Sequence, residues 1–289
     1  MSEEKIIVYT GCTASGKSEA ALNEAERIGG EIISADSMQL YRAIPIGTAQ
    51  PTAEERARVP HHLVGIFELS ERASVTSFCE LAARAVEDIR SRGKIPILCG
   101  GTGLYIRALI CGMDDLPADP QLRRELDKQY DFPEAMEALK ARMAEVDPVA
   151  LARWHDCQRK LIRALEVKLI CGKSIIELQQ GFAGKRRYQA EIRLLDPESS
   201  VLKEKIYRRC LKMLANGWIE ETEVAVAKGL FETPTAHQAL GYKQIAAYLQ
   251  GELSKEELPE KISTATWQYA RRQRTWFRHQ QPEPDIILN

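Results

Sequence analysis

Residues 11–18 read Gly11-Cys12-Thr13-Ala14-Ser15-Gly16-Lys17-Ser18, a full match to G-x-x-x-x-G-K-[ST], and no other segment constrains the fold so tightly. The glycines let main-chain N–H groups turn inward on a phosphate, and the following helix presents its positive N-terminus to it. Lys17 brings a mobile positive charge to the outer phosphate, and the Ser18 hydroxyl is suited to ligate Mg²⁺. The flanks are the ones the motif requires. An apolar run at residues 5–10 predicts a strand before it, and apolar residues at helical spacing predict a helix over 18–28. The bland alternative, a glycine turn that binds nothing, does not account for that strand-to-helix context. By itself the loop specifies only a diphosphate or triphosphate ligand.

Strand and helix signals keep alternating beyond the loop, which predicts an α/β fold: a P-loop NTPase-like parallel sheet flanked by helices. Residues 31–35 and 95–99 are further strand candidates, and residues 75–92 read as an amphipathic helix. Pro96 inside the second of these strands suggests an edge strand or a position among its first residues. Composition shifts at Leu116-Pro117-Ala118-Asp119-Pro120, after which only helical signals run to about residue 180. The domain reading is therefore a catalytic core of residues 1–116 and 185–289, with an all-helical insertion domain at 117–184. Residues 188–195 return as a strand, helices are expected at 199–216, 218–229, 238–250 and 259–280, and residues 285–288 form a last strand.

An ordinary P-loop ATPase holds its metal partly through an acid at the end of a neighbouring strand. The strand at 95–99 ends instead in Cys99-Gly100-Gly101-Thr102-Gly103. The nearest carboxylate is Asp36, ending a different strand. Strand carboxyl ends converge on the ligand crevice of such a sheet, so Asp36, Thr102 and the P-loop can share one site. Asp36 could then ligate magnesium through water or take a proton from a nucleophile. Thr102 could donate its hydroxyl to a charged oxygen. The structural alternatives are Asp36 as a helix N-cap and the glycines around Thr102 as a tight strand-to-helix turn.

Net charge is −1, so any nucleic-acid contact must come from local basic surface. Arg271, Arg272, Arg274 and Arg278 are interleaved with Trp267, Tyr269, Trp276 and Phe277, with no acid among them. Arg159, Lys160 and Arg163 form a second basic cluster, and Lys185, Arg186 and Arg187 a third. Arginine with aromatics grips phosphates and stacks unpaired bases, although a solvated helix face has the same composition. His61 and His62 follow a proline in an expected loop and point apart, which makes a poor metal site. The seven cysteines include no C-x-x-C pair, which argues for a reducing compartment. With no apolar run long enough for a bilayer, and a start running straight into a strand, the expected location is cytoplasmic.

Taken in order, further segments carry a family resemblance. They are Ile33-Ser34-Ala35-Asp36-Ser37, Tyr41-Arg42, Ile46-Gly47-Thr48-Ala49-Gln50-Pro51-Thr52, Pro60-His61-His62-Leu63 and Gly100-Gly101-Thr102-Gly103-Leu104-Tyr105. Arg163-Ala164-Leu165-Glu166-Val167, Gly172-Lys173, Leu240-Gly241-Tyr242-Lys243, Gln268-Tyr269-Ala270-Arg271-Arg272-Gln273 and Thr275-Trp276-Phe277-Arg278 follow. With the P-loop, these segments make the chain resemble the bacterial tRNA dimethylallyltransferases, the IPP transferase family. The resemblance spans residues 11–278.

The resemblance implies that the P-loop binds the diphosphate of dimethylallyl diphosphate with Mg²⁺. The dimethylallyl group would pass to the exocyclic N6 amine of the adenine 3′-adjacent to the anticodon, in tRNAs reading codons that start with U. The products would be N6-isopentenyladenosine and diphosphate. Asp36 is similar to the family's general base, and Thr102 to the residue that steadies the bridging oxygen of the leaving diphosphate. Ser37, Met38 and Gln39 fall where the family touches the target nucleotide. Arg123 is similar to a basic residue near the phosphates or the RNA. Arg159, Lys160, Arg163, Gly241, Tyr242, Lys243, Arg271, Arg272 and Arg274 complete the implied tRNA surface. The partner is the anticodon stem-loop, with the insertion domain contacting it, no membrane, and the enzyme a monomer. The sequence departs from the family where Cys12 replaces a proline, where the turn at 155–160 is shorter, and where Trp267 and Ser199 replace arginines. Competing functions are a P-loop small-molecule kinase, an adenylate isopentenyltransferase acting on free nucleotide, and a non-catalytic RNA-binding protein.

Overall fold

The apolar runs fold as strands with helices between them. In the computed structural model, residues 5–114, 116–179, 187–279 and 283–288 are described. The early elements are β1 (Ile6–Gly11), α1 (Lys17–Ile28), β2 (Glu31–Ser34), α2 (Ala53–Arg58), β3 (His61–His62), α3 (Val75–Ser91), β4 (Pro96–Gly100) and α4 (Gly103–Cys111). Helices α5 (Pro120–Tyr130), α6 (Met136–Val146), α7 (Pro148–Trp154), α8 (Gln158–Cys171) and α9 (Ile175–Leu178) follow. The chain then runs through β5 (Ala190–Leu195), α10 (Ser199–Ala215), α11 (Trp218–Ala227), α12 (Tyr242–Leu249), α13 (Leu258–His279) and β6 (Ile286–Leu288). It divides into one unit of residues 1–111 and 186–289 and a second of residues 112–185.

The first unit holds a six-stranded sheet in the order β3-β2-β4-β1-β5-β6. Every pairing among the described residues is parallel. Alternation along the strands explains why both faces are covered. Ile6, Val8, Ile33, Leu98 and Ile192 pack with Phe78 and Val86 of α3 and with Ile106 and Leu109 of α4. The residues between them, Tyr9, Ile32, Ile97 and Cys99, pack with Ala21, Leu22 and Ala25 of α1.

Several local expectations are corrected. Of the two readings of Pro96, the edge strand falls, since β4 lies between β2 and β1, and the first-residue reading holds. Pro96 is tolerated there because it is the first residue of the strand, where a missing N–H interrupts no ladder. His61 and His62 are not in a loop; they form the short edge strand β3 beside Ile32 and Ile33. The helix expected over 238–250 begins only at Tyr242, because Gly241 has a φ of +88° that no helix accommodates. The insertion stretch at 180–186 and residue 280 lie outside the described residues.

The second unit has its own core. Leu126 and Tyr130 of α5, Leu139 and Met143 of α6, and Leu161 and Leu165 of α8 are buried together. Asp119 caps α5 by accepting from Gln121 and Leu122 N–H, with Pro120 next to it as the first helical residue. Asp147 caps α7 in the same way through Ala150 N–H.

At the amino end of β2, Glu31 is only 1% exposed. Its carboxylate accepts from Arg92 at 2.6 and 3.0 Å and meets His62 at 2.7 Å and Lys94 at 3.5 Å. Burial pushes this carboxyl up, but the Arg92 and His62 hydrogen bonds outweigh it and leave it below the usual carboxylate range. A depressed folded-state value means the stabilisation is present above the unfolded value of about 4.3 and is lost as pH falls through the folded one. Glu31→Gln is therefore expected to destabilise the protein by about 2 kcal/mol at neutral pH, less than a fully buried pair because its partners reach water. In urea titrations the gap to the parent should close on acidification below about pH 4. A gap unchanged at low pH would show that the ion pairs are not its source.

Candidate active site

The P-loop has the geometry of an anion cradle. Ala14 and Gly16 take φ values of +61° and +95°, which curl the main chain between β1 and α1. Gly16 precedes α1 without any side-chain cap, so the first N–H groups of that helix stay available to a ligand. Ser15 is buried, and its hydroxyl has no partner among the described residues. Lys17 Nζ donates back to Cys12 O at 3.1 Å. Burial lowers the Lys17 ammonium from its ordinary range, while the Asp36 carboxylate pulls it the other way. Burial also raises the Cys99 thiol to about 11, so it stands beside Lys17 uncharged.

Neighbouring strands bring Asp36 and Thr102 together. Ala35 N–H donates to Cys99 O at 2.8 Å and Thr102 N–H donates to Ala35 O at 3.1 Å, extending the β2–β4 pairing past both strand ends. Gly100 is obligatory in this crossing, because a Cβ there would collide with the Ala35 carbonyl. Ser37 N–H then donates to Thr102 Oγ1 at 3.1 Å, leaving the hydroxyl hydrogen of Thr102 for another acceptor. Asp36 Oδ1 accepts from Met38 N–H at 2.9 Å, and Oδ2 has no partner among the described residues. The carboxylate closes a tight turn here; no helix begins at this position.

Thr13, Ala14, Gly16, Lys17 and Ser18 share a cleft of about 970 Å³ with Asp36, Ser37, Met38 and Gln39. Gly11, Cys12, Ser15 and Thr102 are not on its wall; Thr102 reaches it through Ser37. Gln39 is committed internally, with its amide nitrogen on the Thr48 and Ala49 carbonyls at 3.2 and 2.8 Å and its oxygen on Ser34 Oγ at 2.8 Å. It shapes the far wall.

Other expected residues are placed differently from one another. Tyr242, implied as an RNA contact, is 0% exposed and donates to Glu221 Oε1 at 2.6 Å. Gly241 is buried against the Trp218 ring. Neither has surface to offer RNA, so that reading is corrected: the pair braces the cleft wall, since Glu221 also accepts from Ile46 and Gly47 N–H at 2.6 and 2.9 Å. Lys243 is exposed. Along α13, Arg271 and Arg272 are exposed, and Arg272 lines the cleft and lies over the Tyr269 ring. Arg274 is instead paired with Asp196 at 2.6 Å and donates to Ser199 Oγ at 2.8 Å, while Arg278 meets the same aspartate at 2.8 Å. An acid distant in sequence thus neutralises part of that basic run.

Within the second unit, Arg123 and Arg163 both hold the buried Glu166, which also accepts from Asp119 N–H at 3.1 Å. Arg159 lies 3.7 Å from Asp131, and Lys160 sits over the Trp154 ring. Lys185 and Arg186 lie outside the described residues, and Arg187 faces Tyr188. The imidazole of His61 meets Val59 O and that of His62 meets Glu31, so the two rings are engaged apart.

Two contributors were missed. Arg209, from the middle of α10, donates to Thr13 Oγ1 at 3.0 Å and lines the cleft. Burial holds its guanidinium below its ordinary range, and Asp36 opposes that shift. The only sequence signal was an arginine in a helix full of Lys and Arg. Gln273 of α13 is 7% exposed; it accepts from Thr13 N–H and donates to Gly101 O, each at 2.8 Å. An amide among arginines gives no sign of facing inward.

A parallel sheet with a G-x-x-x-x-G-K-[ST] loop after β1 and an open cleft at the strand carboxyl ends defines a P-loop-like α/β fold. The IPP transferase family model matches residues 39–280, and the chain belongs to that family. It is 45% identical to a tRNA dimethylallyltransferase of Geobacter metallireducens, over 96% of this chain and 92% of the relative. Among solved structures it is similar to a tRNA isopentenylpyrophosphate transferase of Bacillus halodurans, with 36% identity, a TM-score of 0.70, and 99% and 89% of the two chains covered. It is also similar to a eukaryotic dimethylallyltransferase acting on tRNA, with 28% identity, a TM-score of 0.79, and 95% and 70% covered.

The buried hydroxyl of Tyr242 yields a test of its structural role. Tyr242→Phe removes a hydrogen bond to a charged acceptor and is expected to lower stability by about 1.5–3 kcal/mol in chemical denaturation, with RNA affinity unchanged. Weakened RNA binding at parental stability would return this residue to an interface.

Proposed function

We propose that this chain is a tRNA dimethylallyltransferase. It transfers the dimethylallyl group of dimethylallyl diphosphate to the exocyclic N6 amine of the adenine 3′-adjacent to the anticodon, in tRNAs reading codons that begin with U. The observation that carries the mechanism is the β2–β4 crossing, where Ser37 N–H, next to Asp36, donates to Thr102 Oγ1 and one Asp36 carboxylate oxygen has no partner among the described residues, beside a cationic cradle. Family membership supports the reaction class.

In this reading the P-loop N–H groups, Lys17 and Arg209 hold the donor's diphosphate. An allylic diphosphate departs readily when the negative charge on its oxygens is stabilised, and fixed donors in a sheltered cleft supply that stabilisation. Thr102, whose hydroxyl hydrogen is free to donate, steadies the bridging oxygen. As the adenine amine forms its bond to the allylic carbon, the carbon–oxygen bond breaks and diphosphate leaves. The amine's proton passes to the open oxygen of Asp36, which suits a weak aromatic nucleophile. The adenine reaches the cleft by leaving the anticodon-loop stack, and Ser37 and Met38 line its path.

Ser18 lines the cleft at the start of α1. Its hydroxyl fits Mg²⁺, which commonly takes few protein ligands and completes its shell with phosphate oxygens and water. Bound there, the ion would neutralise charge on the diphosphate. Among the described residues no cluster of three or more His, Cys, Asp or Glu offers a dedicated cage.

Arg271, Arg272 and Lys243 are the exposed cations assigned to RNA on the first unit. Arg159 and Lys160, with Arg123 and Arg163 beside them, are assigned to it on the insertion unit, and the enzyme works as a monomer. Free thiols at all seven cysteines and the RNA substrate fit a cytoplasmic setting. Among the described residues no helix is long and apolar enough to cross a membrane.

Asp36→Asn is expected to lower transfer by about a hundred- to ten-thousand-fold, and Thr102→Ala by about a hundredfold, with tRNA binding retained. Parental rates in either variant would remove that residue from the chemistry. Replacing Arg271 and Arg272 by Gln should weaken tRNA binding and flatten the plot of log affinity against log salt by about one per lost phosphate contact. An unaltered slope would take α13 out of the RNA surface.

A further inference from the structure

Among the described residues, Gln273 tethers α13 to both loops that frame the diphosphate site. Its side-chain oxygen accepts from Thr13 N–H in the P-loop, and its nitrogen donates to the carbonyl of Gly101, the residue before Thr102. One amide satisfies an outward donor and an outward acceptor at once, which no carboxylate, ammonium or apolar side chain can do. The contact is built in from both sides. A Cβ at position 101 would lie 2.5 Å from Gln273 Nε2, so only glycine lets the strap close. On the helix side, Ala270 is buried with Cys12 of the P-loop and with Leu202 and Ile206 of α10, which seats α13 on the loop.

Thr13 and Thr102 belong to different strand–loop–helix units, and their separation decides whether cradle and bridging-oxygen donor can act on one diphosphate. We propose that Gln273 is a positioning residue: it fixes the spacing of the P-loop from the Gly101–Thr102 turn, so that the cradle and the Thr102 hydroxyl meet the same diphosphate. The assignment of Thr102 to the bridging oxygen rests on the prenyl-transfer reading, whereas the effect on the cradle does not. Because Arg272, the neighbouring residue, faces the cleft, the same helix turn carries both the strap and a surface cation.

The test uses the full chain with Mg²⁺ and compares Gln273→Met, which fills the space without either hydrogen bond, with Gln273→Glu, which keeps the Thr13 bond and opposes the Gly101 carbonyl. Calorimetric binding of inorganic pyrophosphate is expected to weaken about tenfold in Gln273→Met, at temperatures where circular dichroism shows both proteins folded. Gln273→Glu, close in shape to the parent, should also bind pyrophosphate more weakly, and it serves if the methionine variant does not fold. Prenyl transfer is then measured in a cycle with Thr102→Ala. With the donor saturating, so that the weaker cradle drops out, the double variant should turn over little slower than Thr102→Ala alone if Gln273 acts through Thr102. Pyrophosphate affinity equal to the parent's in a folded variant would overturn the proposal, and so would fully additive losses in the cycle. Weakened pyrophosphate binding in a protein whose parent transfers no prenyl group would keep the strap on the cradle and discard the prenyl-transfer reading instead.

Discussion

The close crossing of β2 and β4 beyond their carboxyl ends is what the site depends on. Two backbone hydrogen bonds, Ala35 to Cys99 and Thr102 to Ala35, carry the ladder past the strands into the loops. A glycine at position 100 allows the approach. With that crossing in place, Ser37 N–H reaches the Thr102 hydroxyl, and Asp36 is turned so that one oxygen closes its own turn while the other stays open. A larger residue at position 100 would part the loops and separate the two groups.

Charge is arranged around this crossing with economy. Lys17 and Arg209 both feel burial, which disfavours their charged forms, and both feel Asp36, which favours them. An anion entering the cleft would offset part of that burial cost, so the cleft favours an anionic over a neutral ligand. The wall facing the P-loop is held separately. Glu221, Tyr242 and Gln39 secure the loop at residues 44–50 through main-chain contacts and leave Ser37 and Met38 to meet what enters.

Features written in local pattern were legible in the sequence. The P-loop follows from spacing, and the strands follow from short apolar runs bounded by glycine. Asp36 and Thr102 were placed together by the rule that parallel strands deliver their carboxyl ends to one crevice. What escaped depends on contacts between segments far apart in the chain. Pro96 did not reveal an interior strand, because the position of a strand in the sheet is decided by pairing with β1 and β2. Nothing in the sequence around Tyr242 shows that Glu221 captures its hydroxyl inside the core. Arg274 belongs to an unbroken basic run in the sequence, and only the fold brings Asp196, just past the end of β5, beside it. Arg209 and Gln273 were hidden in helices whose polar residues all looked solvated, since helical spacing shows which residues share a face but not what that face meets.

The central claim is that this cleft joins a prenyl diphosphate to an adenine amine. The most direct test incubates the purified protein with dimethylallyl diphosphate, Mg²⁺ and unmodified tRNA, then digests the RNA and identifies its nucleosides by mass spectrometry. The account predicts N6-isopentenyladenosine at the single position 3′ to the anticodon, with one diphosphate released for each group transferred. An unaltered nucleoside profile, with ATP and a small-molecule acceptor turned over to ADP by the same preparation, would contradict it.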